Sequence, residues 1–261
     1  MPSNIKNIIT TSAAALVVLF LGWVLLKNNK LGKEASSEVV SGNQDIPEAG
    51  AVKLLKDSLV ISENPKNYSN FALRLADFYL KEDRFDSAGY YQELLAQRFP
   101  NEENWTRAGL TYYKAFENAS GAEKERAFML KAINCLNNGV SEKSPPSTKR
   151  KLAQLYVADN QQGKATKLLE HLIAEYPDDV ESLYMLGIHA FQVNAFKEAA
   201  HYFGQLVKAD SPHVNAVYYL AVCELKLGNK VEAKMLFEKV KKLDSSEEVK
   251  ANADAYLNDI K

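Results

Sequence analysis

Residues 146–179 read PSTKRKLAQLYVADNQQGKATKLLEHLIAEYPDD, and two stretches of the same pattern follow: VESLYMLGIHAFQVNAFKEAAHYFGQLVKADSPH at 180–213 and VNAVYYLAVCELKLGNKVEAKMLFEKVKKLDS at 214–245. Small residues recur 34 positions apart at two places in each stretch: Ala153, Gly187 and Ala221, then Ala165, Ala199 and Ala233. The bulky residues Leu169, Phe203 and Phe237 stand one helical turn after the second set. Close packing of two short helices requires small residues opposite bulky ones. A repeat of this period therefore predicts an array of helical hairpins rather than a closed globule.

Other residues of these stretches carry a resemblance to a known repeat. Leu152, Leu186 and Leu220 precede the first set of small residues, and Pro177 and Pro212 lie near the ends of the first two stretches. This pattern resembles the tetratricopeptide repeat (TPR), which has a small residue within its first helix, an alanine early in its second helix and a proline near its end. The resemblance implies an all-α, right-handed superhelix (α-solenoid) that binds another protein. It implies neither enzymatic activity nor a cofactor.

Two further repeats precede these three. The first has Ala76 and Ala88 in the two small positions, and the second has Gly109, 33 residues after Ala76. The step from Gly109 to Ala153 is 44 residues, so the second repeat contains an insertion, with a polar excess at 114–126 and a second helix expected over 123–137. Helices at 47–62 and 247–261 are expected to cap the two ends of the array. The expected fold thus has twelve helices. Two are these capping helices, and the other ten form five repeats of two helices each, at 69–100, 102–145, 146–179, 180–213 and 214–245.

The N-terminal region has the pattern of a membrane anchor. After a short flank at 1–7, residues 8–26 form an uncharged run, IITTSAAALVVLFLGWVLL, long enough to cross a bilayer as one transmembrane helix. A cleaved signal peptide is the alternative, but its apolar segment is usually shorter and ends at a small-residue cleavage site. An uncleaved anchor is therefore expected, with Trp23 as a candidate residue at the membrane–water interface. Residues 27–46 lack apolar periodicity and are expected to form a flexible linker.

The sequence leaves open which side of the membrane holds the repeats. Lys6 precedes the predicted anchor and three lysines follow it, which favours the cytoplasm. Cys135 and Cys223 are 88 residues apart and suggest no disulfide framework, which favours the same side. TPR proteins that resemble this chain in having a short N-terminal anchor often belong to the bacterial envelope, with their repeats outside the cytoplasm. The expected location is therefore the bacterial inner membrane, with either orientation.

A partner-binding groove is predicted from the first helices, because in TPR proteins these helices line the concave surface. The nine predicted groove residues lie beside or near the small packing position: Arg74, Arg107, Arg150, Lys151, Tyr184, Met185, Phe191, Tyr218 and Tyr219. The first four are cations and the others are apolar or aromatic. They predict a protein or peptide ligand with an acidic part and an apolar part. The alternative is that the cations are solvated and that some tyrosines pack into the next repeat.

Composition and motifs give little support to other kinds of function. The net charge of −1 does not suggest binding to nucleic acid. No pair of the four histidines has the spacing of a helical metal site: His171, His189, His201 and His213. No phosphate-binding loop or catalytic motif occurs, so no catalytic residue, metal or small-molecule substrate is predicted. Asp77 and Leu110 stand where the chaperone-binding TPR clamp has asparagines, which disfavours recognition of chaperone tails.

The sequence therefore predicts a non-enzymatic, membrane-anchored scaffold or adaptor that binds a partner protein. An alternative is an envelope assembly factor that presents a client protein, resembling the TPR accessory factors of cytochrome c maturation. A third possibility is a self-assembling scaffold, in which the ends of the array would carry the contacts.

Overall fold

A computed structural model describes residues 48–208, 213–243 and 246–259. These residues form twelve α-helices and no strand, which confirms the all-α prediction for the described chain. The helices are α1 (Glu48–Ile61), α2 (Pro65–Lys81), α3 (Phe85–Arg98), α4 (Glu102–Glu117), α5 (Ala122–Gly139), α6 (Pro146–Ala158), α7 (Gln162–Glu175), α8 (Val180–Gln192), α9 (Phe196–Lys208), α10 (Val214–Lys226), α11 (Lys230–Leu243) and α12 (Glu247–Asp259).

The chain divides into two compact units, Met1–Asp57 and Ser58–Lys261. The described part of the first unit is the beginning of α1. In the second unit, α2 to α11 form five hairpins, and each helix from α2 onward packs against the next one. Among the four residues of α1 in this unit, Leu59 is buried whereas Val60 and Ile61 are exposed.

Small residues allow the two helices of each repeat to approach closely. Ala76, Ala153 and Ala221 are fully buried. At the same position a Cβ on Gly109 would lie 2.6 Å from Leu136 Cγ, and one on Gly187 would lie 2.7 Å from a ring carbon of Phe203. The small residue therefore determines which side of each first helix faces its second helix.

The turns inside four of the five hairpins share one backbone conformation. Their middle residues have positive φ: Asp83 (53°), Asn160 (56°), Asn194 (62°) and Gly228 (87°). In each turn the next backbone N–H donates to a carbonyl five residues earlier: Arg84 to Tyr79 (2.8 Å), Gln161 to Tyr156 (2.7 Å), Ala195 to Ala190 (2.9 Å) and Asn229 to Glu224 (2.8 Å). This is the Schellman arrangement, for which Gly and Asn are favoured. Three of these residues are again 34 positions apart, so the repeat period extends to turn chemistry.

The insertion in the second repeat lengthens both of its helices. Helix α4 has 16 residues and α5 has 18, whereas the helices of the later repeats have 13 or 14. Much of the polar stretch at 114–126 is therefore helical, and α5 extends beyond the expected 123–137 at both ends. A loop at 140–145 then leads into α6.

The last helix covers the final repeat. Ala253 of α12 is fully buried, and the Tyr256 ring stacks on Phe237 of α11 at a centroid distance of 4.9 Å. The Nζ of Lys241 on α11 also lies 2.6 Å from Oδ1 of Asp254.

The predicted anchor at 8–26 and linker at 27–46 lie outside the described residues. Within the described ranges, no helix has both the length and the hydropathy needed to span a bilayer.

Candidate protein-binding surface

The predicted groove residues lie on the first helices of all five repeats. Arg74 is on α2, Arg107 on α4 and Lys151 on α6, and each directly precedes a buried residue of the packing face: Leu75, Ala108 and Leu152. One residue along a helix corresponds to a rotation of about 100°, so these side chains lie beside the packing face and not within it. The structure gives them different environments.

Two of the four cations are the most accessible. Arg74 is exposed and forms no hydrogen bond or ion pair with any residue in the described ranges. The Arg107 side chain is 37% exposed, and its Nη2 lies 2.5 Å from Oε1 of Glu103, one turn earlier on α4. An exposed pair of this kind contributes at most about 1 kcal/mol, so a ligand carboxylate can replace Glu103 at little cost.

Arg150 has a structural partner. Its guanidinium forms an ion pair with Oδ2 of Asp179, and the other oxygen of Asp179 accepts the Ser182 backbone N–H at 2.9 Å. Asp179 thus caps the start of α8 while binding a cation on α6. Arg150 therefore connects one repeat to the next and is the least available of the four cations.

Lys151 lies in a half-buried polar group that the sequence did not predict, here called the Lys151 cluster: Lys151, Tyr113, Glu117 and Gln154. The Lys151 Nζ is 4.0 Å from the Tyr113 ring centroid, a cation–π distance. The Tyr113 hydroxyl donates to Oε1 of Gln154 at 2.6 Å. The cluster thereby links the first helices of two successive repeats, α4 and α6.

Partial burial changes the acid–base properties of this cluster. Burial lowers the pKa of the Lys151 ammonium, and it raises the pKa of the Glu117 carboxyl. The attraction between Lys151 and Glu117 opposes both shifts. Because desolvation has the larger effect on each group, the two charges compensate each other only in part. Additional hydrogen bonds from a ligand would stabilise both charges.

The predicted aromatic part of the groove mostly packs between helices. Tyr184 and Tyr219 are 7% and 8% exposed, and the Tyr219 ring stacks on Phe203 with centroids 5.3 Å apart. Phe191 is half-buried with its ring centroid 5.1 Å from that of Tyr219. The prediction that Tyr184 and Tyr219 lie on an open groove surface is corrected: their rings are buried where α8 and α9 meet α10.

The remaining two apolar groove residues are half-buried. Met185 packs against the central hydrophobic core. The Tyr218 ring lies 6.0 Å from the rings of Phe237 and Tyr256. The apolar half of the predicted groove is therefore mainly an interface between repeats.

One sequence signal could have identified Tyr113. Phe191 was predicted because it lies about one turn beyond the residues beside the packing position. Tyr113 has the equivalent place in its repeat, since it lies four residues after Gly109 as Phe191 lies four after Gly187. Applying the same rule to every repeat would have included Tyr113. Glu117 and Gln154 give no comparable signal, because their relation to Lys151 depends on how α4 and α6 pack.

Comparisons with known proteins agree on the kind of fold. Residues 140–246 match the family model described as anaphase-promoting complex, cyclosome, subunit 3. This match covers less than half of the chain. No curated protein matches the chain.

Three solved structures resemble larger parts of the chain. A MamA protein is 18% identical with a TM-score of 0.56, over 70% of this chain and 93% of MamA. YrrB, described as a TPR protein with an unusual peptide-binding site, is 15% identical with a TM-score of 0.54, over 80% of this chain and 98% of YrrB. The C-terminal part of a TPR repeat-containing protein from Cytophaga hutchinsonii is 17% identical with a TM-score of 0.52, over 66% of this chain and 64% of that one. These likenesses show a TPR-like helical solenoid.

Proposed function

We propose that this protein is a non-catalytic scaffold that binds a partner protein or peptide on the face formed by α2, α4 and α6. The observation that carries this proposal is the Lys151 cluster, in which the half-buried Lys151 ammonium lies over the Tyr113 ring and the half-buried Glu117 carboxyl stands on the neighbouring first helix. Arg74 and Arg107 extend the basic character of this face toward the N-terminal repeats. The partner therefore has an acidic segment. The peptide-binding site in the description of YrrB is consistent with this use of the fold.

The chemistry of the face defines the ligand further. Arg74 and Arg107 can each bind a carboxylate with two parallel hydrogen bonds. The Lys151 ammonium and the Glu117 carboxylate offer a donor and an acceptor that suit a peptide group. An extended acidic segment that crosses from α2 to α6 would satisfy all of these groups. This ligand differs from the sequence-based expectation in relying less on apolar contacts, because Tyr184 and Tyr219 are buried.

The proposal includes attachment to the bacterial inner membrane through residues 8–26, with 27–46 as the tether. The uncharged 19-residue run supports this, since its length matches the hydrocarbon thickness of a bilayer. The tether would let the repeats reach a partner near the membrane without holding them in one position.

Site-specific photocrosslinking of the full chain in membranes tests both parts. A photoreactive residue replaces the exposed Lys114 of α4 in one variant and the exposed Lys167 of α7 in a control. The chain should stay in the membrane pellet after an alkaline wash, and its release would exclude the anchor. Crosslinks to a defined acidic segment are expected from position 114 only.

The captured segment is then synthesised, and its affinity is measured for the wild type and for the Arg74→Glu and Lys151→Gln variants. Each substitution should weaken binding by about tenfold, the equivalent of one charge-assisted contact. Lys167→Glu is the control and should have no effect. Unchanged affinity in both groove variants, with native helical content, would contradict the assignment of this face.

A further inference from the structure

The surface of α11 that faces away from the rest of the fold is apolar at its centre. Val231 is 77% exposed and Met235 is 55% exposed, and the two residues lie one helical turn apart. The opposite side of α11 contains the buried residues of this helix: Ala233, Leu236, Phe237 and Val240. Within the described residues, α10 and α12 pack against α11 without burying Val231 or Met235.

Only the last repeat has an apolar residue at both of these positions. The first two repeats have one exposed apolar residue each, Tyr90 (48%) and Leu130 (44%), and the third and fourth have none. Val231 corresponds to Lys197 in α9 and to Gly163 in α7, 34 and 68 residues earlier. Met235 corresponds in the same way to His201 and Lys167. All four of these residues are exposed, as Val231 and Met235 are. Because these positions are exposed in the last three repeats, packing inside the fold does not explain the two apolar residues of α11.

Lysines surround this apolar centre. Helix α11 carries five lysines and two glutamates, whereas the whole chain has a net charge of −1. Helical spacing places Glu238 and Lys242 on the same stripe as Val231 and Met235, with Lys234 and Lys239 on either side. Lys234, Lys239 and Lys242 are exposed, while Lys241 pairs with Asp254 of α12. The α11 face is defined here as Val231, Lys234, Met235, Glu238, Lys239 and Lys242.

We propose that the α11 face docks on an anionic membrane surface. Two exposed apolar side chains can enter the headgroup region while the flanking lysines remain at the level of the lipid phosphates. The side chains project from a single helix, which suits a flat surface, whereas a peptide helix would need a groove between two elements. This docking site is separate from the face of α2, α4 and α6.

A site of this size binds weakly unless the chain is already close to a membrane. One short apolar contact with a few lysines gives only marginal affinity from solution. The proposed anchor would keep the repeats at a high local concentration near the lipid surface and so make docking effective. The inference relies on the proposed anchor for proximity only.

Fluorescence of the full chain reconstituted in vesicles tests the proposal. An environment-sensitive fluorophore is attached through Glu238→Cys, at the centre of the α11 face. Selective labelling is feasible because the native Cys135 and Cys223 are buried. Glu170→Cys on α7 is the matched control, since Glu170 is exposed and lies 68 residues before Glu238.

Docking predicts a blue shift and quenching by spin-labelled lipid at position 238 in vesicles that contain phosphatidylglycerol. Neither change should occur in phosphatidylcholine alone or at position 170. The shift should be lost in Val231→Lys/Met235→His, which introduces the residues that α9 has at these positions. It should also be lost in Lys234→Gln/Lys239→Gln/Lys242→Gln and at high salt. Circular dichroism checks that each variant is folded.

Three results would overturn the inference. The first is a fluorophore at 238 that does not respond to anionic lipid, and the second is an equal response at 170, which would reflect tethering alone. The third is a response at 238 to an acidic peptide added to phosphatidylcholine vesicles, with none to anionic lipid, which would assign the α11 face to a protein partner.

Discussion

Gly139 lies at the end of α5, where this helix approaches the backbone of α4 closely. A Cβ at this position would lie 2.5 Å from the Thr106 backbone nitrogen and 2.9 Å from the Trp105 carbonyl carbon. The Thr106 hydroxyl donates to the Gly139 carbonyl oxygen at 2.9 Å, which joins the end of α5 to α4. Because two of these neighbours are backbone atoms, a rotamer change cannot make room for a methyl group.

We therefore expect Gly139→Ala to lower the free energy of unfolding by about 1–3 kcal/mol, through overpacking at a backbone contact. Urea titration followed by circular dichroism measures this value.

Gly204→Ala is the matched control, because a Cβ at Gly204 in the middle of α9 has no atom within 4 Å among the described residues. Alanine there should raise the free energy of unfolding by up to about 1 kcal/mol, since it favours the helix more than glycine does. A similar loss in both variants would mean that steric contact does not distinguish the two sites.

At the scale of the helices, one carboxylate links two successive repeats. Asp179 accepts the Ser182 backbone N–H at the start of α8 and also pairs with Arg150 on α6, and its side chain is only 9% exposed. Asn101 caps α4 in a similar way, with its Oδ1 accepting the Asn104 N–H at 2.8 Å, but it binds no Lys or Arg side chain of the described residues.

We expect Asp179→Ala to cost about 2–4 kcal/mol, because it removes a helix cap and also leaves a partly buried guanidinium without its partner. Asn101→Ala removes a cap alone and should cost about 1 kcal/mol. Asp179→Asn should fall between the two, since an amide oxygen can still cap α8. Chemical denaturation provides all three values, and equal losses for Asp179→Ala and Asn101→Ala would show that the ion pair adds no stability.

At the scale of the whole molecule, the repeats are connected mainly through their neighbours in sequence. From α2 onward, each described helix packs chiefly on the helices directly before and after it. Stability in such arrays is approximately the sum of terms for each repeat and for each interface between neighbours. Repeats near an end of the array should therefore open more readily than those in the middle.

The two buried thiols can report this difference. Cys135 lies in α5 and Cys223 lies in α10, near the C-terminal end. Burial raises the pKa of each thiol to about 12, so both are protonated as well as inaccessible at neutral pH. In urea below the unfolding midpoint, Cys223 should react with a thiol reagent about tenfold faster than Cys135, because only the last repeat has to open.

The single-thiol variants Cys135→Ala and Cys223→Ala allow the two labelling rates to be measured separately. Equal rates that follow global unfolding would instead show that the described repeats open as one cooperative unit.

The repeat pattern predicted the fold because its causes are local. A small residue opposite a bulky one specifies how two adjacent helices pack, and this information lies within each repeat. The Schellman turns at Asn160, Asn194 and Gly228 were equally visible in the sequence, although they were not predicted from it. The insertion was located by its length, but a residue count could not show that it extends both α4 and α5.

The candidate site was predicted less completely, because it depends on contacts between repeats. The sequence by itself determined that this chain forms paired helices and which residues lie beside each packing position. Only the tertiary structure decided that Tyr184 and Tyr219 are buried, that Arg150 pairs with Asp179 and that Lys151 lies over Tyr113. The physical reason is that exposure and electrostatic pairing depend on the rotation and spacing of neighbouring hairpins, which the period of small residues does not contain.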